Sequence, residues 1–183
     1  MATEWSVEAR GGGVCLVRVV HSLFADTDDW DGQLESTESG WPAFFRTLRI
    51  YLTHFRGLRS ANMQFMAGVA VSKVEAWAAL TAALGLNGVG VGQRWAVPAG
   101  VPALGGVVEY VNPSPAGALL RLDKPGPGTA ALGIMTLPGS VLVTFNFYFY
   151  GDQAAGNVAR ETPLWQAWIQ ERFPMPAKPS TSE

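Results

Sequence analysis

The chain has 183 residues, enough for one large domain or for one and a half small ones. It is 48% hydrophobic and 15% charged, which excludes a disordered chain and favours a packed globule. A formal net charge of −2 excludes an electrostatic nucleic-acid binder, which needs a basic face to neutralise phosphates.

The first residues carry Glu4 and Glu8 and no apolar core, unlike a signal peptide. TEWSVEAR predicts a strand, Gly11-Gly12-Gly13 a turn, and VCLVRVVHSLF a second strand. On the second strand Cys15, Val17, Val19, His21 and Leu23 share the face expected to meet a core. An acidic loop containing DDWD leads to the amphipathic helix GWPAFFRTLRIYLTHF, with Phe44, Phe45, Leu48, Tyr51, Leu52 and Phe55 at helical spacing. Pro42 suits its first turn and Gly57 its C-terminal cap. Arg46, Arg49 and Arg56 form the local basic cluster and read as a solvated helix face. Leu58 to Ser60 is the expected boundary between units.

The second unit opens with a strand near Asn62 to Val71. Ser72 and Glu75 form a capping box that starts a helix, with Val74, Trp77, Leu80 or Thr81, and Leu84 on one face and Gly85 at its end. Strands follow near 91–97, 106–112, 118–123, 129–136 and 140–150, separated by Gly and Pro, the pattern of an antiparallel meander. In the last, Val141, Val143, Phe145, Phe147 and Phe149 face one way. Thr162 and Pro163 are expected to start a closing helix whose stripe is Leu164, Trp165, Trp168, Ile169 and Phe173. The tail beyond Phe173 has disordered composition.

The order strand, helix, meander, long C-terminal helix resembles the helix-grip fold of the START-like (SRPBCC) superfamily, the birch-pollen-allergen type. The first segment resembles, more specifically, the C-terminal part of bacterial domains related to the activator of heat-shock protein 90 ATPase. The residues that carry this are TEWSVEARGGG, VCLVRVVHSLF, DDWD and GWPAFFRTLRIYLTHF. The second unit matches by element order. The expected fold is therefore α+β, an antiparallel sheet wrapped around a long C-terminal helix, in one full copy preceded by a half copy. Residues 1–57 are the half copy, 58–176 the full domain and 177–183 a disordered tail. The first unit lacks the early strand, paired helices and middle strands, as an N-terminally truncated member of a tandem family would.

Nucleophilic chemistry fails on spacing. Cys15 is the single cysteine and His21 and His54 the two histidines. Six residues along a strand separate Cys15 from His21 by roughly 20 Å. Asp29, Asp31, Gly32, Leu34, Glu35 and Glu38 fit positions of a calcium loop, but Thr27 stands where the first Asp belongs and a strand precedes it. A solvated acidic connection explains the same residues, so no metal is expected. Gly88, Gly90 and Gly92, and the run 124–129, lack nucleotide-loop spacing. No cofactor and no catalytic residue is assigned.

Aromatic residues are the remaining signal. Trp77, Trp95, Tyr110, Phe145, Phe147, Trp165 and Trp168 could line a shared interior, either as a solid core or around an apolar cavity between sheet and closing helix. The START-like resemblance implies the cavity. Arg94, Glu109 and Arg121 could add a polar contact to it or form surface salt bridges. The expected function is non-enzymatic: binding of an apolar small molecule, or a protein-interaction module of the ATPase-activator kind. A polyketide cyclase or aromatase-like enzyme using the same cavity is the alternative. Neither membrane nor nucleic acid is an expected partner, and a single cysteine fits a reducing cytoplasm. The half copy has open strand edges and an apolar helix face. Docking on the second unit would cover the latter, as would a homodimer through residues 1–57, which is the expected arrangement.

Overall fold

The computed structural model describes residues 2–22, 31–113, 116–137 and 139–174. The chain forms two compact units, Met1–Leu34 and Glu35–Glu183. Of the acidic segment 27–38, expected to be a solvated connection without calcium, residues 27–30 lie outside the described residues, as does the 177–183 tail, whereas 31–38 begin a helix.

The first unit is a hairpin. Strands β1 (Ala2–Arg10) and β2 (Val14–Ser22) pair antiparallel in one continuous register, from Ala2↔Ser22 to Arg10↔Val14. Gly12 and Gly13, both at φ 77°, make the turn in a region that glycine enters without steric penalty. All of β1 is exposed, and so is Cys15, which the alternation had placed toward a core. Two strands make one layer, so a period-two pattern selects no buried face within the hairpin.

Helix α1 (Asp31–His54) begins well before the expected Gly40 and carries Pro42 in its interior. From Glu35 onward α1 clusters with the second compact unit. The physical reason is packing: Ile50 and Phe55 are buried with Leu119 and Tyr150, and Tyr51, Tyr110, Ala131 and Tyr148 pack around them. Phe44 and Leu52, expected in the apolar stripe, are exposed instead. Of the two covers considered for this helix, its C-terminal half takes the one within the chain.

The rest of the second unit is β3 (Ser60–Val69), α2 (Lys73–Ala83), β4 (Arg94–Ala96), β5 (Gly105–Pro113), β6 (Ala116–Lys124), β7 (Gly128–Leu137), β8 (Ser140–Tyr150) and α3 (Ala154–Arg172). Strands β4 to β8 form an antiparallel meander, and β3 closes beside β8 to give the order β3-β8-β7-β6-β5-β4. One face of this sheet packs α2 and α3. There Phe145, Phe147, Phe149, Leu120, Val108 and Leu80 are fully buried. The opposite face receives the second half of α1. This is α+β, with an antiparallel sheet gripping a long C-terminal helix, the helix-grip arrangement.

Two local expectations change. The Ser72–Glu75 capping box forms, but the buried face of α2 is Ala76, Leu80 and Thr81, while Val74 is exposed. Helix α3 starts at Ala154 rather than at Thr162, with Pro163 inside it. The early turns bury Asn157 and Glu161, and Leu164 is exposed.

Candidate functional site

Four of the seven expected ligand-binding residues come together. Phe145 and Phe147 project from β8 onto the inner face of α3. The Phe147 and Trp165 ring centroids are 4.8 Å apart, and Phe145 lies 6.2 Å from Trp165 and 6.4 Å from Trp168. Trp165 meets Trp168 edge-on at 5.5 Å, and Phe173 closes the cluster at 6.1 Å from Phe145. Phe145, Phe147 and Trp165 are fully buried. Edge-on contacts of this kind add to the apolar burial because ring edges and faces carry opposite partial charge.

Of the other three, Trp95 and Trp77 join the same core away from these ring contacts, and Tyr110 does not. Trp95 on β4 is buried, and its indole N–H donates to the Leu84 carbonyl at 2.8 Å, tying the end of α2 to the sheet edge. Trp77 is half-buried on α2 and packs at the rim of the main core. Tyr110 faces the opposite side of the sheet, where the Arg46 guanidinium lies over its ring at 4.1 Å. Six of the seven therefore belong to or pack against one core cluster, and Tyr110 packs with the other.

The polar trio resolves as ion pairs. Arg121 Nε donates to Glu109 Oε1 at 2.6 Å, both partly exposed, and Arg94 pairs with Asp123 at the surface. Leu119, two residues before Arg121 on β6, packs toward α1, so the Arg121–Glu109 pair shares the face opposite to α3.

Sequence reasoning missed the buried polar residues of α3. Glu161 is 3% exposed and Asn157 5%. Arg160 links them: its Nε donates to Glu161 Oε1 at 2.8 Å and a terminal nitrogen donates to Asn157 Oδ1 at 2.9 Å. A Cβ on Gly126 would come within 2.5 Å of Asn157 Nδ2, so glycine is what lets the β6–β7 turn approach this end of α3. Glu161 Oε2 and Trp165 Nε1 are buried and have no hydrogen-bond partner among the described residues. Polarity inside an otherwise amphipathic helix was the available signal, but the helix start at Thr162 excluded Glu161 from view.

A separate open depression of about 530 Å³ lies at the far end of β3, β7 and β8, lined by Val69–Ser72, Glu75, Thr136, Leu137 and Gly139–Val141. It contains the capping box and none of the expected ligand residues. There the Ser72 hydroxyl bonds to Glu75 and holds its carboxyl below the usual carboxylate range. Among the described residues no cluster of metal-ligating side chains occurs, and no helix is long and apolar enough to cross a membrane.

No protein-family model matches the chain, and no curated protein matches it. Solved structures similar to part of it include DynU16, a protein of the dynemicin biosynthetic locus, at 16% identity and TM-score 0.45. That match covers 61% of this chain and 45% of DynU16, so the chain spans under half of that protein. The Aha1 dimer from Colwellia psychrerythraea is similar at 14% identity and TM-score 0.44, over 64% of this chain and 99% of that one. Protein MLL2253 from Mesorhizobium loti is similar at 13% identity and TM-score 0.43, over 62% and 96%. The helix-grip topology stands on the strand order and helix placement of the chain itself.

Proposed function

We propose that this is a non-enzymatic START-like module that acts by association, and that it pairs with a second copy of itself through β1. The exposed hairpin carries this reading. Val7 is 70% exposed, Val14 62% and Leu16 49%, within a sheet of only two strands. Two strands are marginal on their own, and their outer edges are templates for a further strand.

The chemistry of β1 favours a second copy as the occupant. Antiparallel pairing about a twofold at Val7 sets Glu4 opposite Arg10 of the partner subunit, on both sides of the axis. Ser6 then faces Glu8 of the partner subunit, and Val7 faces its own equivalent. Centring on Ser6 instead sets Glu4 opposite Glu8, and directly opposed like charges destabilise a strand pair. The result is a four-stranded sheet from two chains. The strand-strand-helix order of β1, β2 and α1 repeats that of β7, β8 and α3, which supports reading residues 1–57 as a half copy completed by association.

Sedimentation velocity across a dilution series tests this. A concentration-dependent dimer is expected. Glu4→Arg should weaken it, and Glu4→Arg with Arg10→Glu should restore it, because the cross-strand pairs are then reversed but intact. A monomer at every concentration overturns the proposal, and a dimer indifferent to both variants overturns the register.

A further inference from the structure

Helix α1 carries two apolar faces, and the sheet covers one of them. Ile50 is buried with Leu119 and Tyr150. It lies two positions from both Leu48 and Leu52, and two residues turn a helix by about 200°, so it points away from them. On that other side Phe44 is 46% exposed and Leu52 51%, with Leu48 half-buried between them. The three are spaced by four, which aligns them in one ridge. The rings of Trp41 and Phe45 pack on Phe44 at 5.7 and 5.8 Å and widen one end of it.

Helix α3 shows what such a ridge does when it is covered. Both helices carry an internal proline, Pro42 and Pro163. Counted from it, Phe44, Leu48 and Leu52 stand where α3 and its C-cap have Trp165, Ile169 and Phe173. Those three are 0%, 5% and 6% exposed. The α1 ridge has the same spacing and remains exposed at both ends. Large apolar groups joined along one ridge form a patch, unlike apolar residues scattered singly.

The ridge fits its own copy. It is symmetric about Leu48, so a twofold there lays Leu48 on its equivalent and Phe44 on Leu52 of the partner subunit. Each residue then gives and receives the same contact, as an isologous interface requires. Charge fixes the direction. In the antiparallel register no arginine stands level with an arginine: Arg49 lies opposite Thr47 of the partner subunit. A parallel pair would set Arg46 and Arg49 beside their own equivalents, and facing like charges repel. The antiparallel direction also turns the acidic start of the helix, with Asp31, Glu35 and Glu38 in its sequence, toward Arg56 and Arg59 of the partner subunit.

We propose that α1 packs antiparallel on α1 of a second copy through Phe44, Leu48 and Leu52. The choice of a second copy rests on the association reading above, while the residues are separate from those of β1.

The test uses the full chain with Cys15→Ser, so that each introduced thiol is the only one. Leu48→Cys and Thr53→Cys, the latter at an exposed position on another side of the helix, are oxidised separately with diamide. Disulfide dimers are read on non-reducing gels. Leu48→Cys should dimerise about tenfold faster or more, because held partners react at an effective concentration far above the bulk one. An equimolar mixture of Phe44→Cys and Leu52→Cys should give the mixed disulfide faster than either protein gives its own. That comparison decides the matter even if Leu48→Cys fails to fold. Equal rates at positions 48 and 53 overturn the contact. Faster dimers from Phe44→Cys alone than from the mixture overturn the antiparallel direction. Sedimentation separates this contact from the association reading. A dimer sensitive to Glu4→Arg, with no preference for Leu48→Cys, removes this contact and leaves pairing through β1 standing. A monomer at every concentration removes both. Flotation of the monomer with anionic vesicles, lost in Leu48→Arg, would assign the ridge to a lipid surface and overturn the proposal.

Discussion

Arg46 lies over Tyr110, its guanidinium carbon 4.1 Å from the ring centroid. The contact joins α1 to β5, and it is one of two aromatic anchors on that side of the sheet. At the other end of the helix segment Phe55 stacks on Tyr150 with centroids 4.5 Å apart, and Tyr51 approaches the same ring at 5.3 Å. Ring contacts thus hold the second half of α1 to the outer face of the sheet.

The two anchors should contribute unequally. Arg46→Ala removes a partly solvated cation–π contact, worth about 0.5–1 kcal/mol. Phe55→Ala removes a buried ring and leaves a void over Tyr150, which should cost about 3 kcal/mol or more. Urea denaturation of the two variants checks the order. A larger loss from Arg46→Ala would show that α1 is held mainly by charge.

The inner cluster gives a second ranking. Trp165 is fully buried against Phe147, whereas Trp168 is only half-buried at the rim. Trp165→Ala should therefore lower stability by about 3–5 kcal/mol, and Trp168→Ala by distinctly less. Thermal melts followed by circular dichroism would show it. Equal losses would mean that the rim, not the centre, locks α3 to the sheet.

The parts of this architecture that were legible in the sequence are those where one physical signal dominates. The alternation from Val141 to Phe149 predicts a strand with one apolar face, and all five residues of that face pack in the main core. Grouping Tyr110 with the other aromatic residues by type says nothing about which face of its strand it occupies. A bulge between Val108 and Tyr110 adds a residue to β5, so Val108 faces α3 while Tyr110 faces α1. The start of α3 was hidden by chemistry: Ala154 to Glu161 is small and polar, so its buried positions, Asn157 and Glu161, give no hydrophobic period. Pro163 then imitated a first-turn proline. The orphan atoms of Glu161 and Trp165 depend on which side chains reach them in space, and no spacing rule encodes that.

The capping box offers a direct electrostatic check. Glu75 N donates to the Ser72 hydroxyl oxygen at 3.3 Å, and Ser72 N donates back to Glu75 Oε2 at 3.0 Å. The Ser72 hydroxyl bond is the first cause of the lowered Glu75 pKa, and the Ser72 backbone bond the second. Ser72→Ala should cost about 1 kcal/mol of stability. It should also let the Glu75 carboxyl titrate closer to its ordinary value in an NMR titration. A depressed carboxylate stabilises above its unfolded pKa and ceases to as pH falls through the folded one, so the variant should be relatively least impaired in acid. A uniform penalty across that range would mean that the cap acts through geometry alone.

Tyr150 sets the alkaline side. It is the last residue of β8, 4% exposed, wedged between Phe55 and Tyr51 with its hydroxyl 3.2 Å from Thr129 Oγ1. Burial raises its pKa above the ordinary phenol value, because the phenolate is poorly solvated there; the Thr129 hydrogen bond works in the opposite direction. A raised folded pKa means that the neutral form is the one the fold accommodates. Its contribution is complete below the unfolded pKa, about 10, and is lost as pH climbs through the folded value. Stability should therefore fall on the alkaline side, and Tyr150→Phe, which keeps the ring and has no proton to lose, should flatten that fall. Thr129→Val removes the hydroxyl that favours the phenolate, so it should push the Tyr150 titration higher still. Denaturation measured across the alkaline range for the three proteins tests the chain of cause. If Tyr150→Phe loses stability as steeply as the unaltered chain, the alkaline limit belongs to another group.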